Sequence, residues 1–143
     1  MTLRVVDFQE LTKHYKTYQD GLSNIDKEKN QFLEKLKPLK NEMNKMIQSN
    51  QTNQNYSKED IDRFEKLQEE AVQMENDFKP EPKKMKDELN DKVYDELKNI
   101  ISNWSNDNNI DIVFGKMEVV FNKKSYECTD SIINIIKEKN MYV

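Results

Sequence analysis

Residues 11–46 read LTKHYKTYQDGLSNIDKEKNQFLEKLKPLKNEMNKM, and the spacing of their apolar side chains decides the fold. Leu11, Tyr15, Tyr18, Leu22, Ile25, Phe32, Leu36, Leu39, Met43 and Met46 fall alternately four and three apart, and Lys29 is the one charged residue on the seam. A helix turning every 3.6 residues lines such positions along one stripe, the heptad signature of a helix that packs against another helix. The intervening residues are mostly Lys, Glu, Gln, Asn and Asp, which suits a solvated opposite face. The spacing predicts one long helix over residues 8–48, on the order of 60 Å at 1.5 Å per residue.

Beyond the seam, residues 48–55 (QSNQTNQN) are polar and aperiodic and read as a loop. Ser57 is a candidate N-cap, with Glu59 and Asp60 placed to complement the dipole of a second helix and Tyr56 placed to staple against Ile61. The returning seam carries Ile61, Phe64, Ala71, Met74, Phe78, Met85, Leu89, Val93, Leu97, Ile100 and Trp104. Pro80 and Pro82 interrupt it, because proline removes a backbone donor and clashes with the preceding turn. Gly21, a weak helix former, sits at a comparable height on the first helix if the two pair about residues 48–57. Gly21, Pro80 and Pro82 are therefore the expected hinge, and Pro38 marks a milder bend nearer the tip.

The ends of the chain change pattern. Residues 3–6 (LRVV) read as a strand. After the asparagine-rich stretch that follows Trp104, residues 110–114 (IDIVF) and 117–121 (MEVVF) read as two strands joined by a turn at Gly115 and Lys116, a β-hairpin. Thr129, Asp130 and Ser131 open a short terminal helix rich in isoleucine. The fold class is thus α+β and mostly α, a long antiparallel helical hairpin on a small β-containing body. The expected division is residues 1–20 as the first part of the body, 21–100 as the hairpin with its tip loop at 48–57, and 101–143 as the second part of the body.

Composition agrees. Of 143 residues, 35% are hydrophobic and 35% charged, with 2 Gly and 3 Pro, the profile of solvated helices that each bury one narrow stripe. The regular spacing argues against disorder. A net charge of −4 and the lack of any basic stripe speak against nucleic-acid binding. No stretch approaches the roughly 20 apolar residues of a membrane span. Residues 1–7 have no secretory-signal pattern, which predicts a cytoplasmic location.

Catalytic chemistry has little to stand on. His14 is the only histidine and has no cluster of ligands at metal spacing around it, so it reads as a solvated or interfacial helix residue. Cys128, the only cysteine, precedes a helix start and reads as a small packed residue. Glu69 with Glu70, and Asp91 with Asp95, are solvated carboxylates on charged helices. No phosphate loop or nucleophile elbow is present. The expectation is a binding or assembly protein with no enzyme activity, metal or cofactor.

The order strand, long helix, polar tip, returning helix, strand pair and short terminal helix resembles the Skp (OmpH) family of periplasmic chaperones. Two stretches carry the resemblance. In residues 4–11 (RVVDFQEL) a strand runs straight into the helix, and residues 110–114, 119–121 and 128–133 (IDIVF, VVF, CTDSII) follow the family's C-terminal pattern. The resemblance implies a homotrimer whose body pools Val5, Val6, Ile110, Ile112, Val113, Phe114, Val119, Val120, Phe121, Ile132, Ile133 and Ile136. It also implies arms that hold non-native client proteins without ATP. Near the tip, Met43, Met46, Ile47, Tyr56, Ile61 and Phe64 are the candidate client-binding residues, since methionine and aromatic side chains adapt to varied surfaces.

Two departures from the family are expected: residues 1–7 show no secretory-signal pattern, and residues 40–62 are near charge balance where family arms are basic. Lipid binding and outer-membrane clients are therefore not carried over. Those departures also keep a rival in view, a phage or cellular scaffold or virion accessory that uses the same trimer as a spacer.

Overall fold

The computed structural model describes residues 1–52 and 56–143. The elements in order are β1 (Leu3–Val6), α1 (Phe8–Lys13), α2 (Lys16–Thr52), α3 (Lys58–Phe78), α4 (Glu81–Asp107), β2 (Ile112–Gly115) and α5 (Thr129–Glu138). Two 3₁₀ turns, Lys116–Glu118 and Lys124–Tyr126, lie between β2 and α5. The fold is α+β and mostly α, with one two-stranded sheet. Two compact units divide it, Met1–Ser23 with Asp87–Val143, and Asn24–Lys86.

In the first unit, β1 and β2 pair in parallel with Leu3 opposite Ile112 and Val6 opposite Gly115. The Cys128 amide donates to the Val5 carbonyl at 2.9 Å, which ties the start of α5 to β1. Asp7 caps α1 by accepting from the Glu10 amide at 3.1 Å, and its own amide donates to Thr129 Oγ1 at 2.9 Å. α1 packs on α5, and Val6, Leu11, Leu97 and Ile132 are completely buried. The helices pair antiparallel: Tyr15 and Thr17 both donate to Glu96 Oε1, at 3.2 and 3.3 Å, while Gly21 lies against Leu89. A Cβ at Gly21 would come within 2.7 Å of Leu89 Cδ2, so the missing side chain is what allows the close approach.

Both α4 and α5 end in the same way. Asn109 and Asn140 adopt positive φ (56° and 58°), a conformation asparagine tolerates better than most residues. Each lets the following amide reach back, Ile110 to the Ser105 carbonyl at 2.9 Å and Met141 to the Ile136 carbonyl at 3.0 Å, and so satisfies carbonyls left open at a helix end.

The second unit is the helical pair itself. Glu42 accepts two bonds from Arg63 through one oxygen, Lys40 meets Glu75 at 3.2 Å, and Phe32 stacks on Phe78 with centroids 4.2 Å apart. Partner numbers fall on α2 as they rise on α3, so the helices run antiparallel. Ile25, Leu36, Leu67 and Ala71 form its buried stripe. Leu67 fills the gap between Phe64 and Ala71 and belongs to the returning seam. Lys29, on the seam by spacing, is exposed.

Three expectations are corrected. The first helix is not continuous over residues 8–48, because it breaks at His14 and Tyr15. There the Lys16 amide donates to the Met141 carbonyl (2.7 Å) and the Val143 amide to the His14 carbonyl (2.8 Å), so the tail supplies bonds the helical ladder would have used. The tip loop does not begin at residue 48, since α2 continues through Thr52. Polar residues extend a helix wherever no core has to be faced. The remainder of that loop, residues 53–55, lies outside the described residues.

The returning helix runs to Asp107 and ends on the Asn109 cap, inside the asparagine-rich stretch that follows Trp104. Residues 110–121 do not form a hairpin. A two-residue hairpin turn needs positive φ, whereas Gly115 has φ −70° and ψ 139° and leads into a 3₁₀ turn. β2 takes β1 as its partner, and among the described residues no strand forms at 117–121.

Candidate binding surfaces

In a chain this charged, large apolar side chains left in water are the features that demand an explanation. Several of them gather in two grooves, one in each unit.

The first surface is beside the sheet. Beyond the 3₁₀ turn, Val119 keeps extended backbone (φ −114°, ψ 122°) without a strand partner, and this leaves Val120 fully exposed and Phe121 79% exposed. Phe114 and Tyr126 are each more than two-fifths exposed. With Leu3 and Val5 these side chains line an open groove of about 580 Å³. β2 is also an edge strand of the sheet, a backbone template for another chain.

The residues expected to build a shared body therefore separate into a set buried or half-buried in the chain and a second set that faces water. Val5, Val6, Ile132 and Ile136 are buried within the chain itself. Ile110, Val113, Val119 and Ile133 are half-buried, while Ile112, Phe114, Val120 and Phe121 face water. Met117, 79% exposed, and Tyr126 join the second set. Met117 was read as the first residue of a strand and left out of the shared set, and Tyr126 was masked by its polar neighbours.

Charge around the first unit is local and modest. Lys116 meets Glu127 at 3.2 Å and, with Asn122, holds that carboxyl below its usual range. Burial pushes the Cys128 thiol up to about 11, so it is a packed residue and a poor nucleophile. Burial, then the Glu96 charge, raises Tyr15. His14 stacks on Tyr142 with centroids 4.8 Å apart and contacts the Val143 carbonyl through Nδ1 at 2.9 Å. Among the described residues no three His, Cys, Asp or Glu side chains come together as metal ligands, and no helix is long and apolar enough to cross a membrane.

The second surface is at the start of α3. Ser57 accepts from the Asp60 amide at 3.1 Å, and this cap turns the chain so that Tyr56 and Ile61 both flank the end of α2. Ile47, Tyr56, Ile61 and Phe64 come together in a groove of about 350 Å³. Four of the six candidate client-binding residues thus share one site. Met46 instead lines a separate depression with Glu42, Lys45, Ser49 and Asp60, and Met43, half-buried, lines neither. Of the three expected hinge residues, Gly21 lies in the first unit, while Pro80 and Pro82 lie in the second, between the end of α3 and the first turn of α4.

With this geometry in hand, known proteins offer two points of comparison. The family model described as outer membrane protein (OmpH-like) matches residues 3–136. A crystal structure from Caulobacter crescentus CB15, of a candidate outer membrane chaperone (OmpH-like), superposes with a TM-score of 0.75 at 10% identity. That alignment covers 96% of this chain and 84% of the other, and at such identity the likeness carries the fold. No curated protein matches the sequence.

Proposed function

The chain belongs to the OmpH-like family of outer membrane proteins, and from that membership and its two exposed apolar surfaces we propose a chaperone that holds non-native proteins without ATP. The observation that carries the proposal is the groove of Ile47, Tyr56, Ile61 and Phe64, where four large apolar side chains come together on a charge-rich helical pair. Such a groove gives each client segment weak, exchangeable contacts. Several copies of it in one assembly would supply retention through multivalency. The assembly is a homotrimer in this reading, joined through Phe114, Val120, Phe121 and Tyr126 and through the open edge of β2. The mechanism is sequestration, with binding and release by mass action and no chemical step.

The test is aggregation of a chemically unfolded protein diluted into buffer with and without the chain, followed by light scattering without nucleotide. Suppression that grows with added chain and nears completion at about one trimer per client is expected. Ile61→Ser with Phe64→Ser should weaken it several-fold while circular dichroism stays unchanged, since both side chains are partly exposed. No suppression, together with tight binding to one folded partner, would instead place the protein among scaffold or virion-assembly factors.

A further inference from the structure

The groove at the start of α3 has a charge character as well as an apolar floor. Its lining includes two charged side chains, Asp60 and Glu65, and both are carboxylates. No lysine or arginine lines it. Among the described residues, neither carboxylate has a hydrogen-bond or ion-pair partner through its side chain. Of the nearby cations, Arg63 grips Glu42 at 3.0 and 3.1 Å, Lys40 meets Glu75, and Lys45 lines an adjacent depression that Asp60 also borders, which leaves Glu65 as the carboxylate belonging to this groove alone. At about 350 Å³ the groove is at the small end of ligand pockets, which suits a short segment and not a folded surface.

We infer that this groove selects client segments in which a large aliphatic or aromatic side chain is flanked by lysine or arginine. The inference rests on the client-holding reading and adds to it the chemistry of the client. The apolar side chain fills the space over Ile61 and Phe64, and flanking ammonium or guanidinium groups lie within reach of Asp60 and Glu65. Acidic segments with the same apolar centre are turned away by like charge. The pairs are solvent-exposed, so they bias selection without fixing it, and salt weakens them. Asp60 also stands in the first turn of α3, where a carboxylate favours the helix dipole. Glu65, a turn later, has no such duty.

The experiment uses the full chain and three fluorescent peptides with one apolar centre flanked by Lys, Gln or Glu, with binding read by anisotropy. The Lys-flanked peptide should bind up to about tenfold more tightly than the Glu-flanked one at low salt, and the gap should narrow at high salt. Asp60→Asn with Glu65→Gln should remove most of the gap, and Glu65→Gln alone part of it. Asp87→Asn with Glu88→Gln makes the same charge change in the other unit and should leave the gap intact. Equal binding of all three peptides, or a gap untouched by Asp60→Asn with Glu65→Gln, overturns the inference and leaves the holdase reading standing. No binding of any peptide, with aggregation suppression unaffected by Phe64→Ser, overturns the inference and the groove's part in holding clients, and no suppression by the parent chain overturns the holdase reading as well. A fall in oligomeric mass on Phe64→Ser would assign the groove to a second copy of the chain and equally overturn it.

Discussion

Replacing Val120 and Phe121 together with serine is expected to reduce the assembly to single chains at micromolar concentration while each chain stays folded. Val120 is fully exposed and Phe121 79% exposed, so neither contributes to the core of its own chain. In the assembled state both would be covered, and burying side chains of this size contributes roughly 1.5–3 kcal/mol each. The pair therefore accounts for about 3–6 kcal/mol per chain, or several orders of magnitude in the association constant. Light scattering should report one chain mass for the variant and three for the parent, with unchanged helical circular dichroism. An unchanged mass would mean that the groove beside Phe114 and Tyr126 is not the interface.

Leu97→Ala and Leu33→Ala form the second contrast, two leucines on long helices with opposite surroundings. Leu97 is completely buried, whereas Leu33, off the seam, is 58% exposed. Truncating the first leaves a cavity and should cost about 2–5 kcal/mol in urea unfolding. Truncating the second should stay within about 0.5 kcal/mol. Equal losses would mean that the burial pattern assigned to these helices is wrong.

How far the sequence was legible follows from how local each signal is. Helix seams depend on neighbours three and four residues away, so Leu11, Ile25, Leu36, Val93 and Leu97 were readable as core from spacing alone. Leu67 escaped because the returning seam was traced from Phe64 to Ala71 without it. The break at His14 could not be read locally. Its cause is the backbone of residues 141–143, more than a hundred positions away. The same holds for the parallel pairing of β1 with β2, where local alternation suggests a hairpin but cannot say which strand is the partner.

The candidate site was legible where helical geometry governs it. Ile61 and Phe64 lie three apart on one face of α3, and the Ser57 cap places Tyr56 beside them. Met43 and Met46 were grouped with them on chemistry alone, and the groove does not include them. What no spacing rule conveys is the pairing of charges across helices. That Arg63 belongs to Glu42, leaving Asp60 and Glu65 unpaired beside the groove, emerges only from the tertiary arrangement.

The trimeric holdase reading is tested most directly by the mass of the soluble species formed when a chemically unfolded protein is diluted into the chain without nucleotide, by size-exclusion chromatography with light scattering. It predicts a discrete complex of three copies with one client of modest size. A single-chain peak, with all of the client lost to aggregate, would contradict it.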